Sequence, residues 1–309
     1  MLKKILVTGS SGFVGSHVAD ELTKIGHQVV LFDNKPSPYK KKQQQEYIGD
    51  ILSSGDVEKA IDGCEYVYHF AGQADIGFSS KSPVESIKNN ILGTLNLLEL
   101  ARKYEVERFL FASTIYVYSE LGSFYRVSKQ SCEKIIEEYQ KEFGLNYTIL
   151  RYGSLYGPRA NDFNAMKHFL TQAIKEKKIT RNGNGEELRE YIHVKDASSL
   201  SITALKKKYR NQHLFITGNQ QIRVKDLLKM ISEIFDNKIE IHFDSNRDTH
   251  HYEITPFNFK PQIAKKIIPE TFYDLGQGIL DLIYDIDAKI NNVNNSEILN
   301  SKAPLNEMD

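Results

Sequence analysis

The feature that most constrains the fold is a short apolar run that ends in a glycine-rich turn and leads directly into a helical pattern. The run "KKILVTG" has the composition of a strand buried on both faces of a parallel sheet. Beyond Gly12 the apolar residues recur with a helical period, at Val14, Val18, Leu22 and Ile25. This opening segment therefore predicts a strand, a tight turn and a helix.

Later segments repeat the alternation of strand and helix. The runs "QVVLFD", "YVYHFAG", "RFLFAST" and "YTILRYG" predict further buried strands, and helical apolar spacing covers residues 84–103 and 127–143. Such alternation is typical of an α/β fold with a doubly wound parallel sheet of the Rossmann type and right-handed crossovers.

The pattern becomes less regular after "LYGPR". Residues 161–189 hold one helix candidate and a polar turn, "REYIHV" predicts a strand, and "HLFITG" predicts a strand that rejoins the large sheet. We therefore predict a large-sheet domain in residues 1–160, to which 190–217 return, a smaller mixed α/β domain in 161–189 and 218–288, and a polar, disordered tail in 289–309.

Composition excludes several classes of protein. Lysine plus arginine equal aspartate plus glutamate at 40 each, so no global field favours nucleic acid or an anionic membrane as a partner. No apolar run has the length of a membrane span, and the run that ends at Val7 is too short for a signal peptide. Cys64 and Cys132 form neither a metal-ligand spacing nor a disulfide framework. We expect a cytoplasmic protein without a metal, in which both cysteines are core residues.

The glycine-rich turn predicts a dinucleotide site. It lies between strand and helix, where a pyrophosphate meets the helix N-terminus, and glycine allows close approach of the backbone to phosphate. Its spacing has one residue more between the first two glycines than the common GxGxxG pattern. The alternative is a turn without a ligand. The candidate contacts are Gly9, Gly12, Phe13, Val14 and Gly15.

Asp33 indicates which dinucleotide binds. It ends the second predicted strand and is followed by Asn34, about twenty residues beyond the glycines. A carboxylate there accepts hydrogen bonds from the adenosine ribose hydroxyls and repels a 2′-phosphate, which favours NAD over NADP. The alternative is a turn aspartate at a strand end.

Tyr125 is the candidate proton carrier, with Lys129 four residues later in a helical stretch, where such side chains are neighbours. An adjacent ammonium and the positive ring of NAD⁺ would lower the pKa of Tyr125 from about 10 towards the range of a general base. Thr114 ends the preceding strand and could hydrogen-bond the reacting hydroxyl. Tyr191 and Lys195 have the same spacing, but a strand would separate them by roughly 13 Å. Core packing is the alternative role for Tyr125.

Together these motifs resemble the extended short-chain dehydrogenase/reductase superfamily, in its NAD-dependent nucleotide-sugar epimerase/dehydratase branch, over residues 3–285. "TGSSGFVGS" resembles its cofactor signature and "YRVSK" its YxxxK signature. The resemblance implies cofactor contacts at Asp50, Ile51, Phe70, Ala71, Gly72, Asn90, Tyr125 and Lys129. It implies substrate contacts at Ser113, Thr114, Ser154, Arg159 and Arg189, with Arg189 on the diphosphate of a nucleotide sugar.

The resemblance also implies a homodimer, in which the helices after Asn90 and Tyr125 pair across a two-fold axis. Leu95, Leu98 and Ile135 are candidates for that interface, and burial within one protomer is the alternative for them.

The sequence departs from the resembled family in places that bear on the reaction. Family dehydratases carry an Asp-Glu pair directly after the catalytic threonine, where this chain has Ile115 and Tyr116, so the acid–base pair for elimination is missing. Ser154 stands where many members have a substrate-contacting asparagine, and the loop from Tyr118 to Tyr125 is short for the family.

We expect an epimerase that inverts C4 of a nucleotide-diphosphate hexose through a transient 4-keto sugar, with Thr114, Tyr125 and Lys129 as its catalytic residues. A one-way nucleotide-sugar 4-dehydrogenase or 4-keto reductase would use the same residues. A third possibility is an NAD-binding scaffold or sensor without enzymatic activity.

Overall fold

A computed structural model describes residues 2–244, 265–266, 269 and 271–300. The strands are β1 (Lys4–Thr8), β2 (Gln28–Asp33), β3 (Gln45–Ile48), β4 (Tyr66–His69), β5 (Arg108–Thr114), β6 (Tyr147–Tyr152), β7 (Ser154–Tyr156), β8 (Lys178–Asn182), β9 (Leu188–His193), β10 (Gln212–Ile216), β11 (Gln221–Arg223), β12 (Glu240–Asp244) and β13 (Lys265–Lys266).

The helices are α1 (Phe13–Lys24), α2 (Ser54–Ile61), α3 (Ile76–Lys81), α4 (Pro83–Ile87), α5 (Gly93–Lys103), α6 (Ser123–Phe143), α7 (Ala165–Glu176), α8 (Val194–Thr203), α9 (Val224–Ile234) and α10 (Leu275–Asn300). A π-helical segment, Lys88–Leu92, joins α4 to α5, and 3-10 turns occupy Ile115–Tyr118 and Lys207–Tyr209. Within these described ranges, every helix is too short or too polar to cross a membrane.

The central sheet confirms the predicted doubly wound fold. Its strand order is β13-β10-β6-β5-β4-β1-β2-β3, and all neighbouring strands are parallel. The chain proceeds from β1 outward to β2 and β3, then crosses to β4 and continues in the opposite direction. This reversal between β1 and β4 is the topological switch point, where open α/β sheets bind ligands.

Helices cover both faces of this sheet, which explains why its strands are almost continuously apolar. On one face α1 and α8 pack against β1 and β2 through a core that includes Val18, Leu22 and Leu200. On the other face α2, α5 and α6 form a second core, in which Cys64 and Cys132 are buried, free thiols. The prediction that both cysteines are core residues is confirmed.

The smaller part has a separate apolar core. Helices α7, α9 and α10 supply most of it, with Leu170, Leu228 and Leu282 at its centre. Two short sheets border it: β7 and β11 flank β9, and β12 pairs with β8 in parallel.

The structure corrects the predicted domain boundaries. Strand β7 has already left the large sheet and pairs with β9, so residues 154–156 and 188–193 share a small sheet. The return to the large sheet therefore begins with α8 and is completed by β10, which pairs with β6. Strand β13, within the range assigned to the smaller domain, extends the edge of the large sheet. Short strands that cross between the two parts leave no signal in the hydrophobic pattern.

The predicted disordered tail is also corrected in part. Helix α10 continues to Asn300, and in its first half Ile279, Leu282 and Ile286 pack into the core of the smaller part. Residues 301–309 lie outside the described residues.

Candidate active site

The glycine-rich turn forms a close-packed cradle at the switch point. Gly9 has a left-handed φ of 68°, and a Cβ there would lie 2.6 Å from backbone atoms of Phe70 and Ala71 after β4. A Cβ on Gly15 would lie 2.3 Å from the carbonyl oxygen of Gly9. Gly12 is the N-cap of α1 and provides no side chain to cap the first N–H groups. These features fit the pyrophosphate of a dinucleotide.

Asp33 lies at the carboxyl end of β2, beside this cradle. Its Oδ2 accepts the Ser11 N–H at 2.9 Å and its Oδ1 accepts the Asn34 N–H at 2.8 Å. A carboxylate has about four acceptor positions, so both oxygens can still accept ribose hydroxyls. The contact with Ser11 was not predicted, and it gives Asp33 a second role in holding the glycine-rich turn.

Five of the other predicted cofactor contacts follow β3 and β4 at the same edge of the sheet. Asp50 is exposed, and its Oδ1 accepts the Leu52 N–H at 2.9 Å. Ile51 is buried against Gly93, where a Cβ would lie 2.8 Å from its side chain. The loop after β4 holds Phe70, Ala71 and Gly72 in contact with the glycine turn and with Asn90.

Asn90 lies in the π-helical segment, an irregularity that is frequent at functional sites. It is buried, and its Oδ1 accepts the Gln73 N–H at 2.6 Å. Its Nδ2 donates to Gln73 O at 3.0 Å and to Ser128 Oγ at 2.8 Å. Because these bonds use its amide group, Asn90 fixes the loop after β4 to α6. The contact between Asn90 and the cofactor stays a prediction.

The three predicted catalytic residues come together where β5 ends and α6 begins. Helix α6 starts at Ser123, four residues before the predicted helical range, so Tyr125 and Lys129 are neighbours on one helical face. The Thr114 side chain lies beside Tyr125, near enough to act on its titration. The Lys129 ammonium donates to Ala112 O at 2.8 Å and lies 4.6 Å from the ring centre of Phe111.

Burial dominates the titration of this site. It raises the pKa of Tyr125 to about 12, which the neighbouring Thr114 side chain only partly offsets. It lowers the pKa of Lys129 to about 8. In the chain alone, the Tyr125 pKa therefore moves in the opposite direction to the prediction, because burial disfavours the charged phenolate. Lowering it requires a positive charge from outside the protein, such as the oxidised nicotinamide ring.

The short loop between Tyr118 and Tyr125 is fixed to α6. Arg126 donates to Ser119 O at 3.0 Å, and Gln130 donates to Val117 O at 2.8 Å. The Tyr118 hydroxyl is turned inward, where it accepts a hydrogen bond from Arg151. These hydrogen bonds attach the loop to α6 and to β6.

The predicted substrate residues are not all directed into the site. Ser113 is buried and its hydroxyl donates to Glu133 Oε1 at 2.5 Å, which corrects its assignment as a substrate contact. The reason is the alternation of β5: Phe109, Phe111 and Ser113 all face α6.

The remaining three predicted substrate residues differ in their surroundings. Arg159 has an Nη2–Oδ2 distance of 2.8 Å to Asp20 and stacks 4.2 Å from the ring centre of Tyr39, so the structure holds it against α1. Ser154 is half-buried in β7. Arg189 is buried in β9 and donates to Leu188 O at 3.0 Å.

Tyr191 and Lys195, the second tyrosine–lysine pair, are not neighbours on one helical face as Tyr125 and Lys129 are. Tyr191 lies in β9, but the strand ends at His193, so Lys195 belongs to the first turn of α8 rather than to the strand. The Lys195 ammonium contacts Tyr273 Oη at 3.1 Å and Asp281 Oδ2 at 3.0 Å.

Sequence reasoning missed Glu133 and Arg151. They form a buried ion pair beneath the catalytic residues, with Nε–Oε1 at 3.0 Å and Nη2–Oε2 at 2.6 Å. The position of Glu133, four residues after Lys129 on an apolar helix face, was the available signal. Among the described residues, His, Cys, Asp and Glu form no group of three or more that could hold a metal ion.

A doubly wound sheet with a phosphate cradle at its switch point and a Thr–Tyr–Lys group beside it defines an enzyme of the extended short-chain dehydrogenase/reductase type. The chain belongs to the NAD dependent epimerase/dehydratase family, whose sequence profile matches residues 5–217. NAD is therefore its cofactor. The cradle, Asp33 and the loop after β4 would hold NAD, which when bound supplies a hydride acceptor.

Similar proteins include sugar-nucleotide enzymes of more than one activity. The chain is 29 % identical over 290 residues to a putative UDP-glucose 4-epimerase of Methanocaldococcus jannaschii, covering 85 % of this chain and 94 % of the relative. It is 28 % identical to a UDP-N-acetyl-alpha-D-glucosaminuronate decarboxylase of Bacillus cytotoxicus, covering 86 % and 91 %. The structure of a Thermotoga maritima UDP-glucose 4-epimerase with UDP-glucose matches with a TM-score of 0.80 at 27 % identity, covering 93 % and 99 %.

Proposed function

We propose that the chain is an NAD-dependent epimerase that inverts C4 of a UDP-sugar through a transient 4-keto intermediate. The observation that carries the proposal is the placement of Thr114 beside Tyr125, with Lys129 one helical turn away, where β5 ends at the carboxyl edge of the sheet that carries the NAD cradle. The uridine nucleotide is proposed because the Methanocaldococcus jannaschii and Bacillus cytotoxicus relatives are both named for UDP-sugars.

Each catalytic residue has a separate task in this proposal. Tyr125 takes the proton of the C4 hydroxyl as the hydride leaves C4, and Thr114 holds that hydroxyl in line by hydrogen bonding. Lys129, fixed by Ala112 O, would hold the bound cofactor beside Tyr125, and the positive charge of the oxidised nicotinamide ring would favour the ionised form of the tyrosine. After the keto sugar turns over in the pocket, Tyr125 returns the proton to the new C4 hydroxyl.

The two residues after Thr114 favour epimerisation over decarboxylation and dehydration. Ile115 is buried, and Tyr116 packs edge-on against Tyr125 at 6.5 Å between ring centres. Neither side chain is a carboxyl group, so both members of the Asp-Glu pair that the resembled dehydratases use for elimination are replaced. We propose that Arg189 binds the diphosphate and that Ser154 contacts the sugar.

The proposal is tested with a panel of UDP-glucose, UDP-N-acetylglucosamine and UDP-glucuronic acid. The products are separated by chromatography while NADH is followed by absorbance. We expect one member to yield its C4 epimer with no net NADH. Net NADH would show the one-way dehydrogenase, release of carbon dioxide would show a decarboxylase, and bound NAD without turnover of any nucleotide sugar would leave a scaffold.

We also propose a homodimer formed through α5 and α6. Leu98 is buried within the protomer, so its predicted interface role is replaced by core packing, whereas Leu95 and Ile135 are only partly buried. Leu92 and Phe143 expose about half of their surface on the same two-helix region. Light scattering at micromolar concentration should give twice the chain mass, and a monomer would contradict this part of the proposal.

A further inference from the structure

The end of β5 meets α6 at three consecutive residues. The three helical positions involved are four residues apart, so each contact uses a side chain from a successive turn of α6. The pairs are Ala112 O hydrogen-bonded to Lys129 Nζ, Ser113 Oγ hydrogen-bonded to Glu133 Oε1, and Thr114 beside Tyr125. Two of these pairs contain the catalytic residues, and Ser113–Glu133 is the third.

Glu133 accepts hydrogen bonds from side chains on two strands, Ser113 on β5 and Arg151 on β6. It is buried, and its carboxylate accepts two hydrogen bonds from Arg151, whose side chain is 1 % exposed. Arg151 lies on β6 directly opposite Ser113 of β5 in the parallel register. Since a buried carboxylate is stable only when it is paired and hydrogen-bonded, Glu133 is anchored to two adjacent strands at once.

The same ion pair reaches the other end of the catalytic segment. Arg151 donates to the Tyr118 hydroxyl, and its guanidinium lies 4.8 Å from the Tyr118 ring centre. Tyr118 begins the short turn that leads to Tyr125. The pair therefore fixes the chain on both sides of Thr114, through Ser113 before it and Tyr118 after it.

Other charged groups around Glu133 come from β10 and from α6 itself. His213 on β10 lies with Nδ1 3.7 Å from Glu133 Oε2 and Nε2 3.0 Å from Glu137 Oε1. Lys134 forms an ion pair with Glu137 at 2.9 Å. Glu137 therefore has two basic neighbours, His213 and Lys134, whereas Glu133 is paired with Arg151.

We propose that Glu133, held by Arg151 and acting through Ser113, is a positioning residue that sets the separation between the hydroxyls of Thr114 and Tyr125. Neither Glu133 nor Arg151 touches the reacting atoms. We refer to Ser113, Glu133 and Arg151 together as the clamp. The expected effect of the clamp on turnover rests on the proposed function, whereas its expected effect on the ionisation of Tyr125 is independent of that function.

The test uses Ser113→Ala in the NAD-bound protein, because this change keeps the Glu133–Arg151 pair and deletes only the attachment to β5. Glu133→Gln is less suitable because it leaves Arg151 buried without an anion. The matched control is Ser232→Ala, another buried serine, whose hydroxyl donates to Ile239 O at 3.0 Å in the smaller part. Ionisation of Tyr125 is read from tyrosinate absorbance, as the difference between each protein and the same protein carrying Tyr125→Phe.

We expect Ser113→Ala to raise the pKa of Tyr125 by about one unit, since a displaced Thr114 no longer supports the phenolate. With a substrate, kcat should fall on the order of 10-fold to 10²-fold at unchanged KM, as small misplacements do. Ser232→Ala should leave the Tyr125 titration and kcat unchanged even where it lowers the melting temperature.

A Tyr125 titration in Ser113→Ala that matches the wild type overturns the clamp, as does an equal shift in Ser232→Ala. If no nucleotide sugar is turned over, the proposed function fails, and the titration still decides the clamp. If turnover is observed while the Ser113→Ala titration is unshifted, the clamp alone fails.

Discussion

The two parts of the molecule place their functional residues in different ways. In the large-sheet part, Gly9, Asp33 and Thr114 each lie at or just beyond the carboxyl end of a parallel strand, so one sheet edge gathers them. In the smaller part, Ser154 and Arg189 lie within short strands of a small mixed sheet. The family profile ends at residue 217, before most of that part. Sheet topology therefore positions the proposed cofactor and catalytic residues, whereas the positions of the proposed substrate residues depend on packing between short strands.

The largest expected effect comes from removing one oxygen in the large-sheet part. Tyr125→Phe should lower turnover by roughly 10² to 10⁴-fold, as for loss of a general base, while NAD affinity is retained. The matched control is Tyr191→Phe, which changes the other tyrosine with a lysine four residues later. Steady-state kinetics with the identified UDP-sugar would contradict the assignment if the two variants slowed turnover equally.

The cofactor cradle should tolerate no side chain. Gly15→Ala places a Cβ 2.3 Å from Gly9 O, so we expect NAD affinity to fall by about 10² as the turn is forced open. Gly55→Ala is the control, because no atom lies within 4 Å of a Cβ there and alanine is the better helix former. Equal NAD affinities for both variants in calorimetric titrations would contradict the assignment of the glycine-rich turn as the NAD cradle.

In the smaller part, a change should affect substrate binding without affecting the cofactor. Arg189→Lys keeps the charge but loses the planar fork that matches phosphate, so KM for the UDP-sugar should rise about 10-fold. NAD affinity should stay at the wild-type value. A loss of NAD affinity in this variant would break the separation between the two parts.

Cofactor choice should depend on one charge. Asp33→Asn keeps an oxygen for the Ser11 N–H but no longer repels a 2′-phosphate, so NADP affinity should rise about 10-fold. We expect NAD to bind more tightly than NADP in the wild type, as judged by calorimetry. Equal affinities for NAD and NADP in the wild-type protein would show that Asp33 holds the glycine-rich turn through Ser11 but does not select the cofactor.

The stability of the large-sheet part should depend on pH through His69. It lies between Thr8 at 2.7 Å and Thr94 at 2.9 Å, and burial lowers its pKa to about 3. The unfolded histidine titrates near 6.5, so the unfolded chain binds one more proton between these values, and stability is lost as pH falls from about 6.5.

The slope from this residue is about 1.4 kcal/mol per pH unit, and His69→Gln should remove it. Urea midpoints measured between pH 7 and pH 5 should therefore fall less steeply for His69→Gln than for the wild type. His242→Gln, which changes an exposed histidine, should follow the wild-type slope. The same slope in His69→Gln and the wild type would contradict the lowered pKa.

The sequence predicted the elements that obey a simple period. Strands such as β1 and β5 are continuous apolar runs, and their ends carry the glycines, Asp33 and Thr114. The YxxxK pair was distinguished from Tyr191 and Lys195 because only the first lies in a helix, and the structure confirms this difference.

The features that the sequence could not predict depend on contacts between distant segments. The direction of the Ser113 hydroxyl depends on Glu133 from another element, and the burial of Arg151 is visible only once α6 lies on the sheet. The same reason explains the corrected domain boundaries, since β7 and β9 pair across an intervening helix. Motif spacing indicates which residues react, but three-dimensional packing determines what holds them in place.

The most direct test of the account tracks the hydrogen at C4. The UDP-sugar identified as the substrate is prepared with deuterium at C4 and converted by the enzyme in the presence of excess unlabelled NADH, and the product is analysed by mass spectrometry and NMR. If Tyr125 moves only the hydroxyl proton and bound NAD returns the same hydride, the C4 epimer retains its deuterium. A product that has exchanged deuterium with solvent or with the NADH pool would contradict the account.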